Sequence, residues 1–550
     1  MSAPLTLRRK LLYSAILCGT FLALLLGGLE LGLRLAGYGA SPHFFRVARA
    51  PDGTRVHREN RQVTAPFFST ALARHPEPVR LPEHKAPGTY RIFVLGSSAA
   101  MGDPEPSFSL ARVLDVMLRT AYPDRKFEVV NAAVTAINSH LVRGIAEDCA
   151  ELEPDLFIVY EGNNEVIGPF GPSGVFAPFV RTEAGIRAAV WLKGTRTGQW
   201  LASLGRGAKP ADWGGMAMFL QQQIAADDPR LEAVQAHFRA NLQAIAATGR
   251  KAGATTLLCT VATNQRDFAP FLSGPDGAER IFGEGRAALA AGRDAEAAAL
   301  LQRALDLDRL RFRTDSRLNQ VVRDFAAQAS PDLQVVDVAA QLAAHSAHGI
   351  PGNEFFYEHV HFTLRGTCEA AAALFPAIAT DLARRGMAAG PVPTPIGYSE
   401  VAPQLGYSTY EQTMIALEIL RRFGQPPFIA QSDHAAHVAL WQRAADQGRA
   451  LLARPDATAA LLEIGRRALA QRPDDWILAR NTGAMLVSRQ QAAAALPLLE
   501  QADRWIDDDV DTLVALGWAQ QALGHTSEAE AAFARARKLE PNYPNLPPAR

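Results

Sequence analysis

The chain has 550 residues, 48% of them hydrophobic, which is ample for sizeable cores in about two to four domains. Its 56 basic and 56 acidic residues cancel and form no basic stripe, which argues against nucleic acid as a partner. Cys18, Cys149, Cys259 and Cys368 form no CxxC pair and no metal-ligand spacing, so buried inert thiols are expected rather than a disulfide framework.

Residues 1–37 read as an amino-terminal membrane anchor. Leu11 to Leu29 carries no charge and as a helix spans about 28 Å, close to the hydrocarbon core of a bilayer. Arg8, Arg9 and Lys10 precede it, which places the short amino terminus in the cytoplasm and the bulk of the chain outside, on the periplasmic face of an inner membrane. A cleaved signal peptide is the alternative, but the apolar run is longer than such peptides use and no small-x-small cleavage site follows. Glu30 and Arg34 stand four apart, a spacing that allows them to pair as the helix leaves the membrane. Residues 38–87 are rich in Pro, His and Arg, lack periodicity and read as a tether.

Residues 88–386 form the next unit. Strand patterns recur at Arg91–Leu95, Phe127–Asn131, Asp155–Tyr160, Thr255–Thr263 and Leu333–Val338, with helical patterns such as Leu110, Val113, Leu114, Met117 and Leu118 between the first four. That alternation predicts a parallel sheet covered on both faces. Two excursions interrupt it. Residues 168–250 carry Gly-Pro turns, Trp191, Trp200, Trp213 and a helical run at Met216–Ala225, and read as a lid or substrate wall. Residues 281–311, with Gly285, Gly292, Ala297, Leu301 and Ala304, resemble one tetratricopeptide-type helical hairpin. Phe312 to Ser316 reads as a polar surface loop. Residues 387–432, rich in Pro and Gly, read as a linker. Beyond it a period of 34 emerges: Pro473, Asp507 and Pro541 are equivalent, as are Gly483 with Gly517 and Ala495 with Ala529. Residues 433–550 thus resemble tetratricopeptide repeats, two clear and one degraded, an array suited to a protein partner.

The stretch Arg91 to Gly102, Arg-Ile-Phe-Val-Leu-Gly-Ser-Ser-Ala-Ala-Met-Gly, reads as strand, tight turn and helix, with Ser98 at the turn as candidate nucleophile or, in the plainer reading, with Ser97 and Ser98 as caps of the following helix. Three stretches follow in order: Asn131 to Ala136, Gly162-Asn163-Asn164-Glu165, and Glu358-His359-Val360-His361. In this order the blocks resemble those of the SGNH (GDSL-like) hydrolases, over roughly residues 88 to 385. The resemblance implies a three-layer, doubly wound, flavodoxin-like parallel sheet and serine-based ester chemistry with no cofactor.

It also implies roles. Ser98 would be the nucleophile, His361 the general base and Glu358, where the family has an aspartate, the group that orients the imidazole. The extra methylene of glutamate places the carboxylate about 1.5 Å further out unless the backbone compensates. Oxyanion donors would be the Ser98 and Ala136 backbone N–H groups and the Asn164 amide, with Ala136 standing where the family has glycine. His359 and Glu354 are the rival base and acid. A metal reading of the His and Glu cluster lacks a third ligand at recognisable spacing. Two functions follow: a membrane-anchored hydrolase or acyltransferase acting on an ester of a glycan or lipid, or an inactive scaffold of the same fold whose repeats recruit envelope proteins.

Overall fold

The computed structural model describes residues 6–50, 52–68, 73–175, 179–204, 215–541, 543, 546 and 547. Trp213 of the first excursion lies outside them. The helix Leu7–Leu35 is long and apolar enough to cross a membrane, and none of its residues is buried against the rest of the protein. Arg34 Nε donates to Glu30 at 2.8 Å, the pairing expected from their spacing.

Residues 38–87 are not a tether. They form an antiparallel sheet of β1 (Phe45–Arg49), β2 (Arg55–Glu59) and β3 (Arg80–Pro82). Phe44, Val63, Phe67, Phe68 and Leu81 are buried in one of the two main cores. Arg58 and Arg46 both pair with Asp508 in the last repeats, and Arg80 lies over the Trp505 ring. The alternation along β2 is masked in the sequence because its inward partners are charged: Arg58 and Glu59 are buried as an ion pair.

The central sheet comprises β4 (Thr89–Gly96), β5 (Lys126–Asn131), β6 (Leu156–Tyr160), β7 (Thr255–Cys259) and β8 (Leu333–Val336). All four pairings are parallel, in the order β5-β4-β6-β7-β8. The period-2 geometry of β4 sends Tyr90, Ile92 and Val94 to one face, where they meet helix Leu110–Ala121 and Leu374 and Ile378 of helix Leu364–Arg384. Phe93 and Leu95 go to the other, against Leu141, Ile145, Phe238 and Leu242. Each such side chain, fully withdrawn from water, stabilises the fold by about 1.5–3 kcal/mol. The order reverses at β4, with β5 on one side and β6 on the other. The crevice beyond the carboxyl ends of β4 and β6 is therefore where a ligand fits an open parallel sheet.

The excursions differ in how closely they follow expectation. Helices Ala278–Ala290 and Asp294–Asp306 form the inserted hairpin, and a Cβ on Gly285 would lie 2.8 Å from Leu301, which explains the small residue there. Met216–Ala225 is not a regular helix. Only a single 3₁₀ turn, Gly215–Phe219, forms, because the Ile224 N–H is drawn out to the Arg309 carbonyl at 3.0 Å.

Residues 387–432 are not a linker either. Helices Tyr398–Gln404 and Thr409–Phe423 bury Val401, Leu405, Ile415, Ile419 and Phe423 in the core that covers the sheet. Helix His434–Leu452 packs on Thr409–Phe423, and its Trp441 indole donates to the Tyr357 carbonyl at 3.1 Å. The two clear repeats are the pairs Trp476–Ser488 with Ala492–Trp505 and Val510–Ala522 with Thr526–Leu539. A Cβ on Gly517 would sit 2.4 Å from the Phe533 ring, so the 34-residue period records close helix approach. The degraded unit is a single helix, Ala457–Gln471, packed on Trp476–Ser488 and Tyr398–Gln404.

Candidate active site

β4 ends at Gly96, where an added Cβ would lie 2.1 Å from the Tyr160 carbonyl oxygen at the end of β6. Only glycine allows the strands to come so close, and that closeness puts the turns after both strands over one crevice. Ser97 is buried and its hydroxyl reaches Glu161 at 3.4 Å. Ser98 opens a four-residue helix, Ser98–Met101, so its N–H is one of the amides without an intrahelical acceptor. The helix-cap reading falls to Ser97, which holds the cap position but makes no side-chain capping bond.

Ser98 Oγ lies 2.9 Å from His361 Nε2. Nδ1 of the same ring contacts Glu358 Oε1, which fixes the tautomer: Nδ1 carries the hydrogen and Nε2 is left to accept from the serine. The longer glutamate does reach. Its carboxylate is curled back onto the following turn, where the Val360 N–H donates to Glu358 Oε2 at 3.1 Å, and His359 contacts that same oxygen. Of the rivals, His359 is buried among the rings of Phe268, Phe271 and Phe428 and does not touch Ser98, while Glu354 pairs with Arg266. The geometry selects His361 and Glu358.

Burial opposes charge throughout this cluster, and proximity decides the outcome. His359 and His361 outweigh the desolvation of Glu358 and hold it well below the usual carboxylate range. Burial lowers His359, whereas Glu358 and Asp103 overcome burial at His361 and raise it above 6.5.

The three residues expected to supply oxyanion donors, Ser98, Ala136 and Asn164, line one cavity of about 320 Å³ together with His361. Ala136 keeps the conformation of the glycine it stands for, with φ of 65°. A left-handed alanine costs about 1–2 kcal/mol, and the fold maintains it here. Among the described residues no acceptor takes the Ala136 N–H. One hydrogen of the Asn164 amide goes to the Ile137 carbonyl at 2.9 Å, which orients the group and leaves its second hydrogen for the cavity.

Several residues around the site carry no local signature in the sequence. Phe312 to Ser316, expected on the surface, is buried from Phe312 to Asp315 and half-buried at Ser316. Thr314 donates both its N–H and its hydroxyl to Asn163 Oδ1, at 3.0 and 2.8 Å. Arg313 pairs with the buried Asp308 at 3.1 Å. Polar residues are tolerated inside because each is partnered. Glu165 accepts from the Ser139 N–H and hydroxyl at 2.8 and 2.7 Å, and burial pushes it up to about 7. Arg422 reaches the cavity from helix Thr409–Phe423 and clamps Asp103, whose carboxylate lies 3.4 Å from His361 Nε2.

Asp103 therefore faces the same nitrogen as the serine. Burial works against its charge, but Arg422 and His361 prevail and keep it ionised. With Asp103→Asn one of the two carboxylates favouring imidazolium is gone, while Arg422 stays nearby. The acid limb of kcat/KM for an activated ester is expected to move to lower pH, because the neutral base then persists further down the scale. An unmoved limb would show that Asp103 has no hold on His361.

No family model matches the chain, and no curated protein matches it. Among solved structures, one of MamA MSR-1 C2 is similar at 22% identity, covering 26% of this chain and 76% of that one, with a TM-score of 0.17.

Proposed function

We propose that the chain is a membrane-anchored, extracytoplasmic serine hydrolase of the SGNH type, which cleaves or transfers a small acyl group through an acyl-enzyme on Ser98. The observation that carries this reading is the relay of Glu358, His361 and Ser98, with Oγ 2.9 Å from Nε2. Ser98 Oγ attacks the ester carbonyl while His361 Nε2 takes its proton. The carbonyl oxygen, now an anion, faces the Ser98 and Ala136 N–H groups and the Asn164 amide. Collapse expels the alcohol, which receives the proton from His361, and leaves the acyl group on Ser98. Water, or the hydroxyl of a second substrate, then attacks the acyl carbon with His361 again as base, and the bond to Ser98 Oγ breaks as the imidazolium returns the proton to the serine.

The cavity suits a short acyl group. Ile167, Met216, Phe219, Phe312 and Phe428 line it beside the polar residues, and Met216 and Phe219 of the first excursion contribute to this apolar wall. We read the ester as one borne by a glycan or lipid, and the carboxyl-terminal repeats as the surface for a protein partner. Two departures from the family pattern, Ala136 and Glu358, favour an inactive scaffold; the glycine-like φ of Ala136 and the contact of Glu358 with the imidazole support the catalytic reading instead.

The test is fluorophosphonate labelling of the full-length protein in detergent, with the modified peptide located by mass spectrometry. Labelling at Ser98 that disappears in Ser98→Ala is expected. Equal labelling of the two proteins, or none of the folded wild type, overturns the reading.

A further inference from the structure

Helices Glu183–Gly194 and Arg196–Leu204, in the first excursion, form a hairpin with two unlike faces. The inner face is packed: Ile186 is buried, and Ala189 and Val190 rest on the core. The outer face is apolar and bare, with Trp191 70% and Leu204 66% exposed and Leu192 and Leu201 about half exposed. Large apolar side chains clustered in this way mark a surface that meets something other than water.

The place of the hairpin says what that is. Glu30, in the last turns of helix Leu7–Leu35, accepts from the Arg196 N–H at 3.1 Å and from the Thr197 N–H and hydroxyl at 2.8 and 2.9 Å. Tyr38 donates to Ser203 Oγ at 3.1 Å, and Ala40 and Gln199 exchange two bonds. The hairpin is thus locked to the point where the apolar helix ends, about 28 Å along its axis from Leu11, one hydrocarbon thickness. Cations gather at the same level. Arg34 and Arg196 both line a cavity of about 300 Å³ with Phe67, Ile137, Leu141 and Trp191, where Glu147 and Asp148 are the acidic residues. Arg196 Nη1 is buried there without an acceptor among the described residues. Exposed Arg187 flanks the apolar face.

We propose that this hairpin is a second membrane contact, lying in the headgroup layer of the bilayer that Leu7–Leu35 crosses, with Trp191, Leu192, Leu201 and Leu204 immersed and Arg34 and Arg196 meeting lipid phosphates. The inference rests on the membrane-spanning reading of that helix. Tryptophan at headgroup depth, a polar face turned to the protein and flanking arginines are what an interfacial helix requires. A bilayer is favoured over a protein partner because helix Arg196–Leu204 packs on the spanning helix itself, and both carry exposed large apolar side chains.

The test uses the full-length protein in nanodiscs of three parts phosphatidylcholine to one part phosphatidylglycerol, in a Cys18→Ser background, the other cysteines being buried. Nitroxides are placed singly at Leu201→Cys and Leu204→Cys, with Leu22→Cys in the helix and Ala493→Cys on the repeats as references, and depth is read from power saturation with oxygen and a nickel chelate. The expected result is oxygen access with exclusion of the chelate at 201 and 204, at depths between the two references. Chelate access at 201 and 204 equal to that at 493, with 22 deep, overturns the hairpin's role while sparing the anchor. Shielding from both reagents overturns it in favour of a protein partner. An aqueous reading at 22 removes the anchor and the proposal together.

Discussion

Glu358→Gln is expected to lower turnover of a small activated ester by about 10⁴-fold while leaving the fold intact. The amide fills the same space and still accepts from the Val360 N–H, but it no longer stabilises the imidazolium that forms when His361 takes the serine proton. Glu358→Asp should lose less, about 10²-fold, because shortening by one methylene withdraws the carboxylate from a span that joins two histidines. Kinetics of both variants check this, and a Gln variant within tenfold of wild type would remove Glu358 from the relay. A sign follows for stability as well. Because the folded state depresses the Glu358 pKa, its contribution is present above about 4.5 and is lost as pH falls through the folded value. The Gln variant should lack that component of acid lability.

Asp308→Asn is expected to destabilise the protein by about 3–5 kcal/mol, the usual consequence of leaving one member of a buried ion pair alone. Asp308 accepts from the Phe271, Leu272 and Leu310 N–H groups, and its partner Arg313 donates to the carbonyls of Asn264 and Phe268. Both side chains are almost wholly withdrawn from water. An earlier urea midpoint reads the effect. Recovery of most of the loss in the double variant Asp308→Leu, Arg313→Met would assign it to the uncompensated charge rather than to the lost backbone contacts.

The five core strands are legible in the sequence because a two-sided parallel sheet demands unbroken apolar runs, and Ile92 to Leu95 or Leu156 to Tyr160 can be little else. Ser98, Asn164, Glu358 and His361 are legible through order along the chain, since each follows or closes such a run. What escapes notice is whatever depends on distant partners. Nothing in Arg421-Arg422-Phe423 announces that its second residue will hold a carboxylate beside the base, 319 positions away. The buried arginines of β2 and of Phe312 to Ser316 read as surface because burial of charge is decided by the partner, Asp508 or Asp308, not by local pattern. Asp103 is the nearest miss: it directly follows the serine block, and only its approach to His361 gives it meaning.

The wall that Arg422 and Phe428 contribute to the cavity around Ser98 bears on how such a chain can change over evolutionary time. Repeat arrays are ordinarily interchangeable cassettes, joined to an enzyme by a seam that recombination can cut. Here the helices that lead into the repeats also complete the chamber around Ser98, and Asp433 and Trp441 fasten them to the backbone at Ala269 and Tyr357. A cut within residues 409–428, just ahead of the repeats, would open the chamber. The shape of the cavity and the seating of the repeats are therefore inherited as a unit, and divergence in one constrains the other.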